Sequence, residues 1–386
     1  MEDKKAKNIF VVNGVFHAHF TVSVEIVRDL VLLGHNVTCF VLDEFEDRLK
    51  DVGAKLISYS VDRSKYKPSP GAPIFAVNSF LFTVSYDKIL TFLSKEKDKY
   101  DYFMFDSFFD IKEMNKVLNI PLEKYILICS AFIFVDNKDT FNNASNRALE
   151  LKPVNIKYNI NLNDFVSVHY IPNKFKKLIV TSKYFHLRRE NADETCFFVG
   201  PCIEKRKIDE NFKFKKEDNK KLIYISLGTI NNFIYDFFLK CIEAFKDSEE
   251  YQIIMSVGKF LDIKKFGDIP KNFSIYTYLP QTQLLADVDV FITHGGLSSV
   301  QEALMNGVPL IVIPFLNDQF DNAKRVEELG AGITIDKNKM TVDTLKNAVN
   351  NIIINRDNYK KGVDKIIESF KESINNRKNI YEKIFV

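Results

Sequence analysis

The sequence predicts an α/β protein made of two doubly wound, parallel-sheet halves. Three observations carry that expectation. Short apolar runs alternate with helical patterns along nearly the whole chain. The alternation lapses once, in the charge run EKRKIDENFKFKKEDNK (204–220), and then restarts. Glycine, serine and histidine gather where a buried run turns into a helix, as in FITHGGLSSVQEALMNGVPLIVIP (291–314).

The elements follow in order. NIFVVNG (8–14) reads as a buried strand, TVSVEIVRDLVLLGH (21–35) repeats apolar residues at helical spacing and stops at Gly34, and NVTCFVL (36–42) is a strand again, which makes one βαβ unit. YFMFDS (102–107), YILICS (125–130) and KLIVTS (177–182) are further strands, so residues 1–203 are expected to form an N-terminal Rossmann-like domain. The charge run 204–220 has no apolar periodicity and reads as a linker. Beyond it, KLIYISLGT (221–229), YQIIMSVG (251–258), FSIYTYL (273–279), VDVFITHGG (288–296) and PLIVIPF (309–315) are the strands of a second such domain, 221–368. The terminal segment is helical, and its end, 369–386, is expected to pack on the N-terminal domain. Two doubly wound halves imply a cleft between them, with ligands beyond the carboxyl ends of the strands.

Composition excludes several function classes. A chain of 386 residues that is 46% hydrophobic can bury a large core. Fifty-four Lys and Arg against 51 Asp and Glu leave a formal charge of +3, too even for a nucleic-acid footprint or a polybasic membrane patch. Cys39, Cys129, Cys196, Cys202 and Cys241 lack metal-ligand spacing and mostly sit in apolar runs, so they read as buried free thiols in a reducing compartment. The first apolar run is too short for a signal sequence, and no window approaches the ~18 apolar residues of a membrane span, so a cytoplasmic protein is expected. Thirty-five Phe with no Trp reflects compositional bias and does not by itself mark an aromatic surface.

The second half carries the clearest binding chemistry. A helix N-terminus presents unsatisfied N–H groups and a positive dipole end, and paired glycines let an anion approach the backbone. His294, Gly295, Gly296, Ser298 and Ser299 stand at such a terminus. Ser299 and Glu302 also spell a capping box, which would explain those two residues without a ligand but not the histidine or the second glycine. Ser226, Gly228 and Thr229 follow another buried strand and could hold a second phosphate oxygen, with a packing role as the alternative. Past PLIVIPF, Asp318 and Gln319 offer a carboxylate and an amide suited to sugar hydroxyls, although Asp318 could simply cap a helix. The D-V-D at 287–289 leads into a buried strand and reads as structural, so no metal is expected. No G-x-G-x-x-G is present, and the GAG at 330–332 lacks the strand that a dinucleotide fingerprint requires.

YLPQTQLLADVDVFITHGGLSSVQEALMNGVPLIVIPFLNDQFDNAKRVEELGAG (278–332) resembles the donor-binding signature of the UDP-glycosyltransferase superfamily, inverting nucleotide-sugar glycosyltransferases with the GT-B fold. With the SLGT at 226–229 and FHAHFTVSVEIVRDLVLLGHNVT (16–38), the similarity points to the microbial macrolide-glycosyltransferase branch. The resemblance implies Tyr278 and Gln281 at the nucleobase and Glu302 on the ribose hydroxyls. It further implies His294, Gly296, Ser298, Ser299 and Thr229 on the diphosphate, and Asp318 and Gln319 on the donor sugar. Three positions depart from the pattern: Tyr278 replaces a stacking tryptophan, Ala18 a glycine and Val22 a proline.

An acceptor hydroxyl needs a base, and a histidine titrating near pH ~6.5 is suited to that work. His19 matches the family's catalytic histidine, with His17 as an accessory position. Asp106 matches the aspartate that orients it, with Asp110 as a local rival. The expected enzyme is an inverting, metal-independent hexosyltransferase that needs no cofactor and uses a UDP-sugar, of glucose type from Gln319, as co-substrate. Its other substrate is a small hydroxylated acceptor, apolar or aromatic, lined by loops 66–86 and 131–143. Natural-product glycosylation fits that pairing; neither nucleic acid nor a membrane span does, and the oligomeric state is left open. The alternative is a nucleotide-sugar-binding or epimerase-like GT-B protein that glycosylates no acceptor.

Overall fold

The computed structural model describes residues 5–65, 74–132, 148–162, 174–204, 208–228 and 234–386. Thr229 and the acceptor-loop stretches 66–73 and 133–143 lie outside them. Two compact units result, one formed by the chain up to Glu204 with Glu372–Val386, the other by Lys205–Lys371.

The first unit contains β1 (Asn8–Val12), α1 (His17–Leu32), β2 (Asn36–Leu42), β3 (Lys55–Tyr59), α2 (Ile74–Glu96), β4 (Tyr102–Asp106), α3 (Ile111–Leu118), β5 (Tyr125–Cys129), α4 (Ala148–Tyr158), β6 (Lys176–Ile179) and β7 (Cys196–Phe198). The strands form a parallel sheet in the order β3-β2-β1-β4-β5-β6-β7. Ile9, Phe10, Val11 and Val12 are completely buried, as a central strand covered on both faces requires. Because Val12 pairs with Phe105 and Phe105 with Leu127, the carboxyl ends of β1, β4 and β5 open side by side.

The second unit contains β8 (Lys221–Ser226), α5 (Tyr235–Phe245), β9 (Tyr251–Ser256), β10 (Phe273–Tyr276), α6 (Gln281–Leu284), β11 (Val290–Thr293), α7 (Leu297–Met305), β12 (Leu310–Val312), α8 (Gln319–Glu328), β13 (Gly332–Thr334) and α9 (Val342–Ile354). Its parallel sheet runs β10-β9-β8-β11-β12-β13. The charged stretch before β8 is bonded to this unit, with Lys216 Nζ 2.8 Å from the Asp287 carbonyl and the Glu217 amide 2.9 Å from Gln252 Oε1. Within α10 (Arg356–Asn375) the chain passes back to the first unit, where α11 (Arg377–Ile384) inserts Ile380, Tyr381 and Ile384 into the core. Arg377 ties that helix down, donating to the Val199 carbonyl at 2.9 Å, the Pro201 carbonyl at 2.8 Å and Asp29 at 3.0 Å.

Three strands, β3, β7 and β13, go beyond those expected from the sequence, although β7 lies in the short apolar run CFFV (196–199). All three are sheet edges. Helix α1 also begins earlier than its apolar pattern suggests, at His17. The Phe20 amide donates to the Phe16 carbonyl at 2.8 Å and Thr21 Oγ1 to the His17 carbonyl at 2.8 Å, which draws His17 and His19 into the first helical turn. Among the described residues no helix is long and apolar enough to cross a membrane.

Candidate active site

In the first unit the site grows from the carboxyl ends of three neighbouring strands. The loop after β1 brings Gly14 so close to α1 that a Cβ there would lie 2.6 Å from His19 Cβ and 3.0 Å from Asp106 Oδ2. Only a hydrogen fits. His19 Nδ1 lies 2.8 Å from Asp106 Oδ2, with the carboxylate side chain 2% exposed and the imidazole 15% exposed. Asp106 Oδ1 accepts from the Phe108 amide at 2.9 Å, which fixes the plane of the carboxylate. Ser130, just past β5, places Oγ 2.6 Å from the same Nδ1, so the Nδ1 proton is held between a carboxylate and a hydroxyl. That arrangement leaves the lone pair on Nε2, the tautomer a general base needs. The Phe108 ring covers the imidazole at 4.4 Å between centroids.

The two local rivals have other partners. Asp110 is the N-cap of α3 and accepts from the Glu113 amide at 3.1 Å. His17 Nε2 faces Arg48 at 3.3 Å; Arg48 also grips Glu204 with Nε at 3.0 Å from Oε1, donates to Thr21 Oγ1 at 2.8 Å and lies over the Phe20 ring.

In the second unit, β8 and β11 are neighbours, so their terminal loops meet. A Cβ on Gly228 would come within 2.5 Å of His294 Cε1, and one on Gly296 within 2.7 Å of Nε2, so the His294 ring is boxed between two glycines. Burial lowers its pKa to about 4. The ring is therefore neutral near pH 7 and offers an N–H and no positive charge. Gly296 is the N-cap of α7 and no side chain caps that helix, so the Ser299–Glu302 capping box does not form. Ser298 and Ser299 are partly exposed in the first turn. Ser226 Oγ instead accepts from the Gly228 amide at 3.3 Å and shapes the glycine turn.

The remaining donor-side residues fall into two groups. Gln281 Nε2 donates to Glu302 Oε2 at 2.7 Å and to Ser299 Oγ at 3.2 Å, while Tyr278 is 60% exposed nearby in sequence. Gln319 is buried and its Oε1 accepts from the Phe315 and Leu316 amides at 2.9 and 3.1 Å, which pins the loop after β12. Asn322 links the last two groups, donating to the Gly295 carbonyl at 2.8 Å and to Asp318 Oδ2 at 3.0 Å. Gly14, Ser130 and Asn322 were not among the site residues expected from the sequence. Ser130 closes the apolar run YILICS as Asp106 follows YFMF, and that shared position at a strand end was the available signal.

The D-V-D is structural. Asp289 accepts from Lys216 at 2.5 Å, Arg356 at 2.8 Å and the Leu222 amide at 2.9 Å. Burial alone would raise its carboxyl, but these partners hold it below the usual range. Among the described residues no group of three or more His, Cys, Asp and Glu side chains is placed to hold a metal ion. All five cysteines are free, and burial raises the thiol of Cys202 to about 11.

A family model described as "UDP-glucoronosyl and UDP-glucosyl transferase" matches residues 209–372. NDP-glycosyltransferase YjiC of Bacillus subtilis (strain 168) is 31% identical over 360 residues, 89% of this chain and 88% of that protein. "Uncharacterized UDP-glucosyltransferase YdhE" of the same strain is 38% identical over 206 residues, and that match spans only 52% of YdhE and 53% of this chain. Among solved structures, the glycotransferase of kitacinnamycin has a TM-score of 0.79 at 22% identity and covers 98% of this chain and 99% of its own. A strand-end histidine-carboxylate pair in one Rossmann-like unit, an uncapped glycine-led helix in the other, and a relative similar over nearly its full length lead to one identification: this chain is a GT-B glycosyltransferase of the UDP-glucuronosyl and UDP-glucosyl transferase family.

Proposed function

We propose that the protein moves a hexose, of glucose type, from a UDP-sugar to a hydroxyl of a small apolar or aromatic acceptor, with inversion at the anomeric carbon and without a metal ion. His19 Nε2 takes the acceptor proton as the oxygen attacks. The imidazolium so formed keeps its Nδ1 proton on Asp106, whose carboxylate offsets the new charge. The departing diphosphate acquires negative charge, and oriented dipoles receive it: the amides opening α7, which no side chain caps, the N–H of neutral His294, and the hydroxyls of Ser298, Ser299 and Thr229. Glu302 holds the ribose, Tyr278 stacks on the base, and Asp318 with the Nε2 of Gln319 holds the sugar. Buried, unpaired thiols favour a reducing compartment, and we place the enzyme in the cytoplasm.

The observation that carries this reading is the His19–Asp106 contact on adjoining strand ends. A binding protein or an epimerase has no need of a base prepared for an acceptor hydroxyl. The test is H19A assayed with UDP-glucose and a panel of phenols, alongside UDP titration. Transfer falls by ~10²–10⁴-fold while UDP affinity holds; undiminished turnover removes His19 from the mechanism. Added EDTA leaves the wild-type rate unchanged, and a strict metal requirement overturns the metal-free reading.

A further inference from the structure

A line of hydrogen bonds in the second unit reaches Glu302. Tyr224 is buried in β8, stacked on Phe291 at 4.6 Å between ring centroids, and its hydroxyl lies 3.1 Å from Gln281 Oε1. Gln281 Nε2 lies 2.7 Å from Glu302 Oε2 and 3.2 Å from Ser299 Oγ. An ionised carboxylate only accepts, so the nitrogen end of the amide faces Glu302. The oxygen end then faces Tyr224, whose O–H donates. Ser226 and Ser256 hydroxyls also reach the phenol oxygen and can fill its acceptor side. Burial pushes this phenol's pKa up, so the proton stays in place through the working range.

Both ends of the Gln281 amide are thus engaged within the protein. Gln281 opens α6, a helix of four residues with no side-chain cap, and the buried Tyr224 stands behind it. We propose that Tyr224 and Gln281 are positioning residues that lock the Glu302 carboxylate for the ribose hydroxyls, and so set the preference for ribonucleotide over deoxynucleotide donors. This rests on the donor-site reading of Glu302 given above. Neither residue touches the reacting atoms; they act through the direction of one carboxylate.

Calorimetric titration with UDP and with 2′,3′-dideoxyuridine 5′-diphosphate tests the assignment, using the full chain and the variants Y224F, Q281L and E302A. Y224F weakens UDP by ~3–10-fold, the worth of one ordered hydrogen bond, and leaves the dideoxy nucleotide unchanged; Q281L, at a residue the resemblance also places by the nucleobase, weakens both but UDP by ~3–10-fold more, so the preference shrinks in each. A purely structural defect weakens both nucleotides alike. That outcome, or an unchanged preference in both variants, overturns the inference. E302A separates the two levels: if it leaves the preference intact, the ribose reading of Glu302 fails and the inference with it. If it abolishes the preference while Y224F and Q281L do not, only the positioning role fails.

Discussion

The two histidine sites of this chain solve opposite problems. His19 is partly exposed and bound to a carboxylate at 2.8 Å, an arrangement in which the ring can gain a proton and have the charge offset. His294 is buried between two glycines, its pKa lowered to about 4, with no carboxylate bonded to it among the described contacts. On the mechanism proposed above, the first site changes charge during the reaction and the second keeps it constant. A base must titrate during each turnover, whereas an anion is best received by dipoles already pointing at it. The residue type is the same; its neighbours decide the job.

This contrast can be broken by removing the partner on either side. The largest effect is expected from D106N, which keeps the volume but cannot offset an imidazolium: kcat falls on the order of 10³-fold and UDP affinity is unchanged. A parallel loss of UDP binding would show that the carboxylate supports the fold of both sites. G14A follows. Its methyl would meet His19 Cβ, which cannot move without shifting α1, so kcat falls by ~10–100-fold with UDP binding intact. Wild-type rates in G14A would mean that the imidazole tolerates displacement.

The pH dependence of stability sharpens the other side. The folded protein keeps His294 neutral down to about pH 4, whereas the unfolded chain protonates it near ~6.5. Between those values the unfolded state binds the extra proton, so stability falls as pH is lowered through this window, by up to about 3 kcal/mol from this group. H294N lacks that component, and denaturation midpoints from pH 7 to pH 4 compare the two proteins. Identical slopes would contradict a buried neutral ring. The smallest effect is expected at exposed Tyr278: Y278A weakens UDP by ~5-fold and Y278W strengthens it by ~2-fold, through stacking area.

Much of the fold was legible because central parallel strands are covered on both faces. NIFVV, YFMFD and YIS within KLIYISLGT read as apolar runs for that reason. The edge strands β3 and β13 need no such run, being half solvated or only three residues long, and the CFFV of β7 is a short signal that was passed over. The strand-to-helix turn at 294–299 was legible for a related reason: its glycines, serines and histidine are adjacent in sequence. The capping box that Ser299 and Glu302 spell was one of two readings open in the sequence, and the structure does not form it: Gly296 is the N-cap and Glu302 faces Gln281.

From composition and periodicity alone came two parallel-sheet halves, and local motifs supplied the segments that carry chemistry, because burial and backbone geometry are written over a few neighbouring residues. Contacts between residues far apart along the chain were decided only by the tertiary structure. Ser130 reaches His19 across 111 positions and Tyr224 reaches Gln281 across 57, joined by strand order and register. The neutral state of His294 belongs to the same level: burial in the fold lowers its pKa, and spacing along the chain does not record that.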